Sequence, residues 1–307
     1  MMFMRSWIDI MIHVLEVLAP FIISIVSALV FVLILRAICI HIQRPREDRG
    51  DTYTPLSPTL QWMNTAGSIL LATNKGNFRY MAGLFYPGNE NKQDRVSSIK
   101  KMLWKYWQIQ GHESAMETMK RLLHTGMRVW YGQEMSRLET IYSTYCEEEL
   151  INVAKKQNPN ADEDSFLPKM ILAYRRYGEN ALLGWDMGRV AYVMQCCYFA
   201  GYVSMEEVLD IGVEAGKKAQ AYFNNWEEMM ESYLLGGQYW QREDAGDPNS
   251  MTAKRWKLYE ALWKGKKPYK KIPYTTIAFD TPLSKEIITD KYGIMPQYQK
   301  YYKKIQR

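Results

Sequence analysis

The chain has 307 residues, 47% of them hydrophobic and 13% aromatic, and a formal charge of +6. That length and apolar share exclude a disordered or collagen-like chain and allow one substantial domain, or two small ones, beside any membrane segment. Its four cysteines, Cys39, Cys146, Cys196 and Cys197, stand in no zinc-type spacing, which argues against a thiolate metal site and fits a reducing compartment.

Residues 1–16 are apolar with scattered polar positions, and either extend the next helix or lie in a membrane interface. A transmembrane helix is expected over 17–38. Its charge-free stretch, VLAPFIISIVSALVFVLIL from Val17 to Leu35, matches the roughly 30 Å of bilayer hydrocarbon and makes the lipid bilayer the first expected partner. Arg36, Arg44, Arg46 and Arg49 follow the span whereas only Arg5 precedes it, so the C-terminal side is expected to be cytoplasmic at a cell membrane. Residues 39–58, with QRPREDRGDTYTPLSP, read as an exposed linker.

From residue 59 to 242 the pattern is helical throughout, and the fold class expected is all-α: a multi-helix cytoplasmic domain preceded by one transmembrane helix. The first helix runs from Thr59 to Leu71 and ends in the turn chemistry of TNKGNF. Tyr80 to Arg95 reads as loop. Val96 to Trp107 is the next helix, with Ile99, Leu103 and Trp107 on one face. Ser114 and Glu117 suit a capping box for a helix ending at His124, Thr125 and Gly126. A long helix is expected over Val129 to Lys155, then a polar loop, then a helix from Pro168 to Tyr177. Ala181 to Ala200 is a nearly all-apolar helix stopped by Gly201. Ser204 with Glu207 opens a helix to Phe223 whose Gly212, Ala215, Gly216 and Ala219 allow close packing. Asn225 caps a last helix reaching Trp240. Residues 243–307 read as a basic, Tyr/Lys-rich tail: Lys254 to Arg307 holds 14 Lys or Arg against 4 acids.

Walker A, GxSxG and HExxH motifs and a strand-borne GxGxxG do not occur. Asp162, Glu163 and Asp164 lack the glycine and distal glutamate of an EF-hand. No metal and no cofactor is therefore expected. His112 and His124 read as structural, and nothing fixes either near Cys146. The unusual feature is GWDMGR, which puts Asp186 and Arg189 three residues apart in an otherwise uncharged helix, where they share a face and can pair. One reading is a buried structural ion pair, with Gly188 admitting a neighbouring helix. The other is that Arg189 receives an anion while Asp186 holds its guanidinium in place.

GWDMGR, AGYVS with Glu206 and Glu207, and NNWEEMMESYLLGGQYW together resemble the uncharacterised bacterial domain-of-unknown-function family 1266. LSPTLQWMNTAGSIL and LWKYWQIQGHESAMETMKRLLHTGMR are similar to its N-terminal half, so the resemblance covers about Leu56 to Trp240. It implies that Trp185, Asp186, Gly188, Arg189, Gly201, Tyr202, Trp226, Gly236 and Trp240 fall on recurring positions. Members often carry arginine after the glycine of the last motif, where this chain has Gly237 and Gln238. The resemblance implies fold and boundaries but no activity.

The function expected is a membrane-anchored binding or interaction module, with a protein or small molecule as partner. The alternative is an enzyme whose anion-binding pocket centres on Asp186 and Arg189. Candidate binding residues are Asp186, Arg189, Trp185, Tyr202, Trp226 and Trp240. The tail can meet an anionic leaflet, nucleic acid ranks last, and homo-oligomerisation through surface aromatics is a further expectation.

Overall fold

A computed structural model describes residues 18–35, 56–78, 80–83, 92–265 and 273–285. The expected N-terminal segment, most of the linker, and the tail residues 266–272 and 286–307 lie outside the described residues. The chain divides into two units, Met1–Tyr53 and Thr54–Arg307. In the first, helix α1, Leu18–Leu35, is long and apolar enough to cross a membrane.

The second unit is all-helical among the described residues. In chain order its helices are α2 (Pro58–Ala66), α3 (Ser68–Thr73), α4 (Lys92–Trp107), α5 (His112–His124), α6 (Gly126–Tyr142), α7 (Glu147–Lys155), α8 (Phe166–Tyr177), α9 (Leu183–Phe199), α10 (Met205–Gln220), α11 (Trp226–Gln241), α12 (Met251–Trp263) and α13 (Pro273–Thr276). Every residue of α9 is buried, which is what a helix apolar on all sides demands. Helices α2, α5, α10 and α11 enclose it. Close approach is bought with glycine: a Cβ on Gly67 would stand 2.9 Å from that of Tyr192, and one on Gly212 would stand 2.4 Å from Met63 Sδ. Ser204 caps α10, with Glu207 reciprocating, and Asn225 caps α11, as their spacing predicts.

Several helix ends shift by two to four residues from the sequence reading, the largest of these at α4, which begins at Lys92 inside the stretch from Tyr80 to Arg95 read as loop; four further differences have a visible cause. The first helix is broken at Gly67 into α2 and α3, where the glycine lets α9 approach. Helix α5 starts at His112, because Ser114 reaches back as its third residue and its hydroxyl accepts the N–H groups of Gln110 and Gly111. The long helix expected from Val129 to Lys155 is two, α6 and α7. Arg175 supplies the reason, donating to the carbonyls of Tyr142 and Tyr145 at the break, while Glu149 accepts the N–H of Cys146.

The fourth difference is the largest. The first part of the segment read as a basic tail is folded: α12 and the stretch through Leu283 bury Tyr259, Leu262, Tyr274, Ile277, Phe279 and Leu283 in the main core. Trp62 and Trp226 donate their indole N–H groups to the carbonyls of Phe279 and Ile277 at 2.8 and 2.9 Å. A net-charge count cannot see this, because Lys254, Lys257 and Lys264 face water while Tyr259 and Leu262 between them face inward.

Candidate functional site

The site is built around the first two turns of α9. Asp186 is fully buried and accepts four hydrogen bonds. Oδ1 takes the N–H of Met127 at 2.9 Å and Nη2 of Arg189 at 2.5 Å; Oδ2 takes the N–H of Arg128 at 3.3 Å and its Nη1 at 2.9 Å. The carboxylate thus caps the N-terminus of α6, where the helix dipole favours negative charge. Gly126, at φ +60°, makes room for it, since a Cβ there would fall 2.0 Å from Oδ2. Arg128 also donates to the carbonyls of Leu122 and Leu123 at 3.1 and 2.7 Å, so it closes the C-terminus of α5. Asp186 and Arg128 together weld the α5–α6 corner to the central helix.

Arg189 is only partly consumed by this arrangement. Nε donates to the Trp185 carbonyl at 3.1 Å and Nη2 to Asp186, but Nη1 finds no acceptor among the described residues. Its guanidinium carbon lies 4.7 Å from the Trp185 ring and 5.8 Å from that of Trp107, within cation–π range. Burial presses its pKa down while Asp186 presses it up. Because a guanidinium keeps its proton in proteins, that burial acts as a cost of holding charge in a dry place.

Three further polar atoms nearby are buried without a hydrogen-bond partner: Trp185 Nε1, Tyr233 Oη and Arg255 Nη1. The Arg255 guanidinium carbon lies 5.6 Å from the Trp185 ring and 5.5 Å from the Trp240 ring, and the Tyr233 ring packs tilted against Trp185 at 4.9 Å. Burial pushes the Tyr233 phenol up to about 12, opposed by the charges of both Arg255 and Arg189. Among the described residues no carboxylate pairs with Arg255. Glycines again set the spacing: a Cβ on Gly188 would meet Tyr233 at 2.8 Å, and one on Gly236 would meet that of Trp185 at 2.2 Å. At Gly237, near the place where the family resemblance leads one to look for arginine, a Cβ would stand 3.2 Å from Arg255 Nη1.

Of the six candidate residues, Asp186, Arg189, Trp185 and Trp240 are therefore brought together. Trp240 is 53% exposed and forms the outer edge, 6.2 Å from Trp185. Trp226 serves the core instead, packed on Trp62 and Phe279 at 5.1 and 5.0 Å. Tyr202 is half-buried beneath Lys100, 5.2 Å from its ring. His112 and His124 pair with Glu207 and Glu214 on α10, and Cys146 is exposed at the start of α7. Sequence reasoning missed Arg128, Tyr233 and Arg255. Tyr233 lay inside the quoted SYLLGGQYW, but its direction depends on where α11 crosses α9.

Comparison with known proteins bears on the same residues. The model of the family described as a protein of unknown function, DUF1266, matches residues 102–274, more than half of the chain. The chain belongs to the DUF1266 family. The match runs past Trp240 through α12, so Arg255 lies within the DUF1266 region. An uncharacterized Escherichia coli K12 protein, YbeR, is 31% identical over 64 residues, covering 21% of this chain and 27% of that relative. The match thus spans about a quarter of the curated relative's length. No solved structure matches the chain.

Proposed function

We propose that this DUF1266 protein is a binding module that holds an anionic group at Arg189, on a chain anchored in the membrane by α1 with its helical domain in the cytoplasm. The observation that carries the reading is the set of buried donors without acceptors beside Arg189: Trp185 Nε1, Tyr233 Oη and Arg255 Nη1. Buried donors left unpaired cost about 1–3 kcal/mol each, and an anion would remove that cost. Asp186 orients Arg189, and with four donors already on its oxygens it is engaged as a structural acceptor, which favours binding over a catalytic-base role. The arginine-rich flank after α1 supports the cytoplasmic orientation. Contact of the basic residues after Lys264 with an anionic leaflet is a further part of this proposal.

The test is thermal unfolding and calorimetric titration of the full chain in phosphatidylcholine nanodiscs, with inorganic phosphate as probe and chloride at equal ionic strength as control. Phosphate should raise the midpoint, and Arg189→Gln should abolish the shift. An unchanged midpoint at saturating phosphate, with Arg189→Gln indistinguishable from the parent, overturns the reading. Protease added to sealed, right-side-out cells should leave the domain intact; digestion reverses the topology.

A further inference from the structure

We infer that the anionic group is a phosphate monoester, gripped between Arg189 of α9 and Arg255 of α12, with Tyr233 and Trp185 as neutral donors. This rests on the anion reading above and adds the ligand's charge, its shape and its second arm.

The charge follows from which guanidiniums are already neutralised. Arg128 is matched by Asp186 and by the carbonyl end of α5. Asp186 is shared with Arg189 through one short bond, and the Arg189 Nη1 edge stays open. Arg255 makes no ion pair or hydrogen bond among the described residues, yet its Nη1 is buried. Two guanidiniums therefore share less than one carboxylate's compensation, a deficit that a dianion fills better than a monoanion.

The shape follows from the donor inventory. Two open guanidinium edges, a phenol and an indole N–H offer up to about six hydrogens, more than the four lone-pair positions of a carboxylate accept. A phosphoryl group presents three strong acceptor oxygens and carries close to two charges at neutral pH. The aromatic faces of Trp185, Trp240 and Trp107 line the guanidiniums, which suits an ester whose organic part lies against the half-exposed Trp240 rather than free inorganic phosphate alone. Arg255 belongs to α12, which packs on α11 and α3, so the ligand would add a link from α12 to α9.

Methyl phosphate and methyl sulfate share a shape but differ by one charge at pH 7.5, which makes them the discriminating probes. For the full chain in phosphatidylcholine nanodiscs, titration calorimetry should show methyl phosphate binding on the order of tenfold more tightly than methyl sulfate. Arg255→Gln should erase that preference while weak binding of both anions persists, and Arg189→Gln should abolish both. Arg255→Lys, which keeps charge but loses the fork, should recover part of the preference. Tyr233→Phe removes a buried hydroxyl with no protein partner, so the ligand-free protein should be as stable as the parent or more so while methyl phosphate binds severalfold more weakly. Equal affinity for the two probes, or a preference indifferent to Arg255→Gln and Tyr233→Phe, overturns this inference and leaves the Arg189 reading standing. Absence of binding by either probe overturns both. Including phosphatidate in the nanodiscs separates the sources: competition with methyl phosphate that depends on Arg255 assigns the monoester to a lipid headgroup, and undiminished binding assigns it to a soluble molecule.

Discussion

Two arginine clusters in this protein use nearly the same parts and differ in one. On the α6–α11 side, Arg242 lies 4.3 Å from the Tyr239 ring and 5.2 Å from the Phe166 ring, and Glu134 accepts both its Nη groups and the Tyr239 hydroxyl. On the α9–α12 side, Arg255 lies against Trp185 and Trp240 with the Tyr233 hydroxyl nearby, and no carboxylate closes the set among the described residues. The complete cluster is the partly exposed one, where water could have served. In the incomplete one Arg255 is half-buried, but its Nη1 and the Tyr233 hydroxyl are shut off from water, where an acid matters most. The comparison teaches that an absent acid can be as specific a sign of a ligand as a present one.

The largest way to break this contrast is Asp186→Asn, which would leave Arg189 as poor in acid as Arg255 and uncap α6. Removing one partner of a buried pair costs about 3–5 kcal/mol, and the denaturant midpoint of the full chain in detergent should fall accordingly. Gly126→Ala moves the carboxylate without removing it: φ of +60° and a Cβ 2.0 Å from Oδ2 should cost about 2 kcal/mol by the same measurement. A third pair of variants sharpens the comparison directly. Arg242→Met should lose up to about 1 kcal/mol, since its pair with Glu134 is half exposed. Arg255→Met, which replaces an unpaired charge by an apolar chain, should leave the ligand-free protein within about 0.5 kcal/mol of the parent or more stable. The smallest effect concerns pH. Hydrogen bonds from Arg242 hold Glu134 below its ordinary value of 4.5, so its contribution is present above pH 4.5 and lost as the pH falls through the folded value. Glu134→Gln should remove that acid limb from the stability profile, whereas Arg255→Met should keep it.

Much of this architecture was legible in the residues. Ser204 with Glu207, Asn225 and Gly201 announce their helix ends because capping is a local matter of three or four residues. The Asp186–Arg189 pair followed from helix periodicity alone. What stayed hidden depends on contacts distant in sequence. Arg128 sits 58 residues from the carboxylate it meets, and nothing in RVW near the start of α6 announces that. The break at Ser143 to Cys146 is stabilised by Arg175, some thirty residues on. Arg255 was hidden differently, inside a run whose average charge suggested a solvated tail while alternate residues were part of the core. The shared contact of Tyr233 and Arg255 with Trp185 could be read only once α11 and α12 had been laid across α9.

Thr59, at the start of α2, accepts the N–H of Ser284 and donates to its carbonyl, both at 3.0 Å. The first and last described stretches of this unit are thus clasped side by side, although 225 residues separate them. A short bridge of glycine and serine across that clasp would join them with little strain, and new ends opened in the polar loop near Asn160 would give a circular permutant. In that rearranged order α9 would precede α6, and Asp186 would be synthesised before the helix it caps.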